Sequence, residues 1–128
     1  MQRASSTTPA TIQIRRVYAP PLAAEGRRYL VDRLWLRGCR REALQLDGWH
    51  KELASSNELR HWFNHDSEMW SEFQQRYFAE LDANPAAWQP LLEAARSGLV
   101  TLLYGAHDEV HNNAAALKIY LTGKLSGE

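Results

Sequence analysis

Two stretches of the sequence carry the side chains best suited to chemistry. The first, Leu30–Gly38, holds a carboxylate, two guanidinium groups and an indole, at Asp32, Arg33, Arg37 and Trp35. The second, Tyr104–Asn112, holds a phenol, two imidazoles and an amide, at Tyr104, His107, His111 and Asn112. Arginine suits two-pronged binding of carboxylates and phosphates. Histidine, with an ordinary pKa of about 6.5, suits acid–base catalysis, although a surface or capping role is the simpler alternative.

Both stretches follow segments whose residues are typical of buried strands. Tyr29–Val31 continues into Asp32 and Arg33 as one strand over residues 29–33, and Leu99–Tyr104 is the clearest strand of the chain. In parallel α/β sheets, ligands bind in the crevice beyond the carboxyl ends of the strands. If the two strands are parallel neighbours, the two stretches form opposite walls of one cleft.

The sequence after the second strand predicts a helix that begins near Asp108. The free N–H groups of a helix N-terminus favour an anion, and Arg33 or Arg37 could supply a second contact. Asp108 itself weakens this hypothesis, because a carboxylate at the N-cap competes for the same donors. A second alternative is that Asp32 and Arg33 simply pair with each other.

Three further features bear on the same cleft. His107 and His111 have the spacing of a helical metal pair, but a third ligand would have to be Asp32 or Asp108, and we predict neither a metal nor a cofactor. His65 lies between two predicted helices and could line the cleft. The five tryptophans include three on apolar helix faces, so they do not predict an RNA-binding surface.

The rest of the chain predicts a single small α/β domain. A first strand runs from Ile12 to Tyr18, a short third strand lies near Leu46–Trp49, and amphipathic helices follow. We expect a mostly parallel sheet of three to four strands flanked by about four helices over residues 12–122, with flexible tails at 1–11 and 123–128. The short link between the first two strands leaves an antiparallel pairing open.

Composition narrows the class of protein. With 128 residues, 45% of them hydrophobic and 23% charged, the chain fits one globular domain. The single cysteine, Cys39, and the lack of an apolar span predict a cytoplasmic protein without a membrane partner. The net charge is zero, but residues 1–41 hold nine arginines against two acidic residues. Pairing of these arginines with the acidic helices is the alternative to a docking role.

Several motifs together resemble the YeaO-like group of the bacterial family named domain of unknown function 488. They cover most of residues 12–121 and are Ile14–Tyr18, Leu30–Gly38, Trp49–Ala54, Glu58–Asp66, Phe73–Tyr77 with Glu80 and Leu81, Thr101–Asp108, and His111 with Asn112. One departure is Leu36, where the group usually has proline. More distant relatives often have a cysteine and an acid at Tyr104 and Gly105, so a thiol mechanism should not be transferred.

The resemblance implies a small, mostly parallel α/β fold and no established activity. It marks His111, Asp32 and Tyr104 as candidate catalytic residues, and the candidate ligand-binding residues are Arg33, Arg37, Trp35, His107, Asn112 and His65. The leading hypothesis is a cleft that binds a small anionic or phosphorylated ligand, in a hydrolase or transferase. The alternative is a non-catalytic module that docks an acidic partner or nucleic acid through its arginine-rich segment. Either a monomer or a homodimer is compatible with the sequence.

Overall fold

The computed structural model describes residues 11–18, 26–36, 38–64 and 66–126 and contains one parallel sheet. Its strands are β1 (Ile12–Arg16), β2 (Arg27–Leu30), β3 (Gly48–Trp49) and β4 (Val100–Tyr104). Their order is β1-β4-β2-β3, and every neighbouring pair is parallel. The predicted α/β class with a parallel sheet is therefore confirmed. The antiparallel pairing of the first two strands is excluded, because β4 lies between them.

The register brings the carboxyl ends of β2 and β4 together. Leu30 lies opposite Leu103, and the N–H of Val31 donates to the carbonyl of Leu103 at 3.2 Å. β2 ends at Leu30 rather than at residue 33, so Asp32 and Arg33 belong to the loop beyond it. β1 likewise ends at Arg16, two residues earlier than predicted.

The described residues form five α-helices around the sheet. They are α1 (Arg41–Leu44), α2 (Asn57–Phe63), α3 (Trp70–Asp82), α4 (Pro85–Ser97) and α5 (Asn113–Ser126), with 3-10 turns at Lys51–Leu53 and Ser67–Met69. The last helix thus continues into the segment predicted as a C-terminal tail, whereas residues 1–10 of the predicted N-terminal tail lie outside the described residues. No helix in the described part of the chain is long and apolar enough to cross a bilayer.

Apolar residues cover both faces of the sheet. The larger core packs α3, α4 and α5 on one face and includes Tyr77, Leu102 and Leu117. A smaller core on the other face joins Leu30 and Leu103 to residues of the following loops. All five residues of β4 are buried, as expected for the central strand of a parallel sheet.

The start of α5 corrects the sequence analysis. The Oδ1 atom of Asp108 accepts hydrogen bonds from the N–H groups of Val110 and His111, both at 2.9 Å, and so closes a turn before the helix. Asn112 is the actual cap, because its Oδ1 accepts the N–H of Ala115 at 2.8 Å. The helix therefore begins at Asn113, beyond the turn that Asp108 forms.

Candidate functional site

A cavity of about 300 Å³ lies beyond the carboxyl ends of β2 and β4. Its walls come from the loop after β2, from the residues before and within α2, from α3, and from the segment between β4 and α5. The lining residues are Asp32, Arg33, Leu34, Trp35, Leu36, Ala54, Ser55, Arg60, Phe63, Phe73, Gly105, Ala106, His111, Asn112 and Asn113. Parts of both predicted walls therefore meet at one cavity.

Asp32 is held at the inner end of this cavity by the backbone of the neighbouring strand end. Its Oδ2 accepts the N–H of Gly105 at 2.8 Å, and its Oδ1 has no hydrogen-bond partner among the described residues. Burial raises the pKa of Asp32 to about 6, although the Gly105 N–H and the charge of Arg60 both act to lower it. A carboxyl group here can change protonation close to neutral pH.

Arg60 is the lining residue that the sequence analysis missed. Its Nη2 donates to Asn57 Oδ1 at 2.9 Å, whereas its Nε is buried and has no hydrogen-bond partner within the residues that the structure describes. Among the described residues, Arg60 and Asp32 form no direct ion pair. The sequence does contain a sign of this position. Arg60 precedes the core residue Phe63 by three residues on α2, and this helical spacing places the charged side chain beside a buried face of the helix.

Arg33 lies at the cavity but serves mainly to hold the loop before α2. Its Nη2 donates to the carbonyls of Ala54 and Ser55, both at 3.2 Å, and its Nε lies 3.4 Å from the Ser55 carbonyl oxygen. The alternative in which Asp32 and Arg33 pair with each other is therefore wrong. The arginine orients a wall of the cavity instead.

His111 is fixed by the turn that follows β4. Its Nδ1 lies 3.0 Å from Asp108 Oδ2, and its ring meets the edge of Trp70 with centroids 5.2 Å apart. Hydrogen bonds from the backbone N–H groups of His111 and Val110 lower the pKa of Asp108 to about 2. A protonated Nδ1 directed at this carboxylate leaves Nε2 as the acceptor of the ring.

The two asparagines at the start of α5 are bonded within the protein. Besides capping the helix, Asn112 donates through Nδ2 to the carbonyl of Asp108 at 3.0 Å. Asn113 bridges the two walls, because its Nδ2 donates to the Val31 carbonyl and its Oδ1 accepts the N–H of Ser55. Since Asn112, and not Asp108, caps α5, the predicted competition between the Asp108 carboxylate and an anion at this helix end does not arise.

Two of the other predicted residues lie away from the cavity. Tyr104 is packed in the larger core and borders a separate groove beside Arg16, where burial raises its pKa. His107 is exposed, with Nδ1 3.2 Å from Arg16 Nη2, so it does not pair with His111. Trp35 does line the cavity, and its indole N–H donates to the Cys39 carbonyl at 3.0 Å.

The remaining predicted site residues, Arg37 and His65, lie outside the described residues. Within the described ranges, no group of three or more histidine, cysteine or acidic side chains is arranged to hold a metal ion. The cavity thus brings together Asp32, Arg33, Trp35, His111 and Asn112 from the predicted set, and it adds Arg60.

Comparisons with known proteins agree on one family. A protein-family model described as the inactive DUF488-N3 subclade, where DUF stands for domain of unknown function, matches residues 11–128. The uncharacterized protein YeaO of Escherichia coli is 39% identical over 110 residues, which are 86% of this chain and 96% of the relative. The uncharacterized protein Rv3073c of Mycobacterium tuberculosis is 34% identical over 113 residues, which are 88% and 95% of the two chains. No solved structure gives a significant match.

Proposed function

Because the chain belongs to the YeaO-like group of the DUF488 family, in a subclade described as inactive, we propose that it is a non-catalytic binding domain. Its cavity at the ends of β2 and β4 takes a small ligand with an anionic group, a carboxylate or a phosphate. The protein acts in this proposal by holding the ligand rather than by transforming it.

One observation carries the proposal: Arg60 lines the cavity, its guanidinium makes a single hydrogen bond among the described residues, from Nη2 to Asn57, and its buried Nε makes none. A buried donor without a hydrogen bond costs about 1–3 kcal/mol, and more where the group is charged. An anionic oxygen in the cavity would accept an N–H of this guanidinium group in a charge-assisted bond. An unpaired donor of this kind is therefore typical of a site where a ligand supplies the missing hydrogen-bond acceptor.

Two neighbours support an anion in the same place. Arg33 adds a second positive charge to the lining, and the N-terminus of α5 begins at the cavity with Asn113. The positive end of a helix dipole favours negative charge within its first turn. The cavity volume of about 300 Å³ lies at the lower end of the range of roughly 300–1,000 Å³ for ligand sites, which favours a small molecule.

The second candidate function, a hydrolase or transferase, is favoured by the bond between Asp108 and His111. A carboxylate that orients a histidine is a common arrangement for a general base, and His111 lines the cavity. Asp32 could act beside it as an acid, because its pKa is raised to about 6. Turnover of a phosphate monoester or carboxylic ester that disappears in His111→Gln would favour this function over binding alone.

The docking of an acidic partner or nucleic acid by the arginine-rich segment has less support. Arg28 is buried, and its side chain donates to the Leu44 carbonyl. Arg16 donates to the Ala106 carbonyl, and Arg33 to those of Ala54 and Ser55. These three arginines stabilise separate loops of the fold, so their side chains do not form one continuous docking surface.

Binding can be tested by thermal unfolding of the protein with inorganic phosphate, sulfate, short aliphatic carboxylates and nucleotides. We expect at least one small anion to raise the melting temperature of the wild type and to lose this effect in Arg60→Gln. Arg96→Gln is the matched control, because Arg96 pairs with Glu93 on α4 away from the cavity lining. If no anion stabilises the protein, or if Arg60→Gln responds like the wild type, the proposal fails.

A further inference from the structure

Two side chains of opposite charge line the cavity, and each keeps one polar atom without a hydrogen-bond partner among the described residues. In the described part of the chain, Oδ1 of Asp32 accepts no hydrogen bond, and the buried Nε of Arg60 donates none. The two side chains do not form an ion pair with each other among the described residues, although each lines the same cavity. Buried charges are normally paired, so a ligand that completes this site must supply both a positive and a negative group.

Part of the remaining lining is apolar. Leu34, Trp35 and Leu36 lie on one side, and Phe63 and Phe73 lie on the α2 and α3 side. A ligand with two charges on one end can therefore place an apolar remainder against this part of the lining. The cavity of about 300 Å³ limits the whole molecule to a small size.

We propose that the ligand is a free α-amino acid with an apolar side chain. Its carboxylate accepts from Arg60, its ammonium group donates to Asp32 Oδ1, and its side chain lies against the aromatic and aliphatic wall. This inference rests on the proposed binding function and names the ligand class for the same cavity. A nucleotide fits less well, since it would bring only negative charge to the unpaired carboxylate of Asp32.

The charged groups around Asp32 give the proposal a proton signature. Arg60 and Arg33 line the cavity with it, and His111 is held there by the ionised Asp108. Since the pKa of the free Asp32 carboxyl is about 6, an ammonium group beside it would favour ionisation and release a proton on binding near pH 6. A ligand with only a carboxylate would instead favour the protonated form of Asp32 and take up a proton.

The test is calorimetric titration near pH 6 with L-leucine, L-methionine and L-phenylalanine, each compared with its deaminated acid and its decarboxylated amine. Buffers of different ionisation enthalpy report the protons released or taken up. We expect at least one amino acid to bind about tenfold or more tightly than either analogue, with proton release. In Asp32→Asn, this preference for the amino acid over the deaminated acid should fall to within about threefold, and the proton release should vanish.

The outcomes separate this inference from the binding function. Equal affinity for the amino acids and their deaminated acids, with dependence on Arg60, overturns the amino-acid inference and leaves the anion-binding domain standing. If neither the amino acids nor their analogues bind, but phosphate stabilises the protein through Arg60, the amino-acid inference fails and the anion-binding function stands. Absence of any Arg60-dependent binding overturns both. Chemical shifts of the Gly105 amide in Asp32→Asn confirm that the variant remains folded around the same hydrogen bond.

Discussion

The two walls of the cavity differ in how their polar groups are satisfied. On the wall after β4, Asp108, His111 and Asn112 bond to one another and to backbone groups. Across the cavity, Asp32 and Arg60 each keep one polar atom without a partner in the described ranges of the chain. Polar groups that are bonded internally specify a loop structure, whereas those left unpaired are the ones available to a ligand. The residues of the first wall maintain the structure of the site. Asp32 and Arg60 on the second wall, the binding wall, are available to contact a ligand.

The two walls should also differ in how they contribute to the stability of the protein. Residues that build a site should destabilise the protein when they are removed, because they leave backbone groups unpaired. Residues that bind a ligand should lower the stability of the ligand-free protein or leave it nearly unchanged, because their charges are compensated only when the ligand is present. Their removal should therefore have little effect on stability or increase it. Substitutions on the two walls are therefore expected to change stability in opposite directions.

The largest effect is expected for Asp32→Asn. An acid whose pKa is raised from 3.8 to about 6 by burial loses stability as pH rises from about 4 to above 6, since the unfolded chain ionises more readily. The amide can still accept the Gly105 N–H but carries no charge. We expect the variant to be more stable than the wild type above pH 7, by up to about 3 kcal/mol, with the gain lost at pH 4.

Urea unfolding at several pH values measures this gain. A variant that is less stable than the wild type at pH 7.5, or a gain independent of pH, would contradict the assignment of Asp32 to the binding wall. The same assay applied to Asp108 variants supplies the comparison with the opposite wall.

Asn112→Ala is expected to destabilise the protein by about 2 kcal/mol. The substitution removes the cap of α5 and a second hydrogen bond from a buried amide to the Asp108 carbonyl. Asn84→Ala is the matched control, because Asn84 occupies the N-cap of α4 without a side-chain cap bond. A loss no larger than that of the control would show that Asn112 does not build the wall.

Asp108→Asn is expected to be destabilising by less than about 1 kcal/mol, because its side chain is about a third exposed and solvent screens the charge. The pKa of Asp108 is lowered to about 2, so the contribution of the ionised form is present above the unfolded value of 3.8 and is lost as pH falls towards 2. Unfolding curves at pH 7 and pH 2 should show a deficit only at the higher pH.

Arg60→Met is expected to have the smallest effect on the stability of the free protein. It removes a buried unpaired Nε–H together with one bond to Asn57. Its sharper readout is Asp32, because the charge of Arg60 lowers the pKa of that carboxyl. We expect the pKa of Asp32, followed by NMR of its carboxyl carbon, to rise above about 6 in the variant; an unchanged value would place Arg60 too far away to share a ligand.

Local patterns sufficed to predict the part of the site that belongs to the sheet. The apolar run of β4 and the shorter run of β2 indicate buried parallel strands, and their ends bring Asp32 to Gly105. The start of α5 was less determined, because Asp108 and Asn112 are both suitable caps and only the folded turn shows which of them caps the helix.

Tertiary contacts explain what the sequence could not reveal. Arg60 reaches the cavity only because α2 packs beside the loop after β2, and Arg33 and Asn113 make the bonds that hold this arrangement. The position of Tyr104 at a strand end predicts a site residue, but the side chain packs into the larger core. Proximity along the chain to a strand end does not determine on which face a side chain lies.

The central claim is that a small ligand joins Asp32 to Arg60, and the side-chain Nε–H resonance of Arg60 tests it most directly. The protein is titrated with an apolar α-amino acid to about 10 mM near pH 6, and the resonance is followed by NMR. We expect the Arg60 Nε–H and the Gly105 amide to shift together with one saturation curve, while the Nε–H of Arg96 stays constant. If the Arg60 signal does not shift with L-leucine, L-methionine or L-phenylalanine, the claim is contradicted.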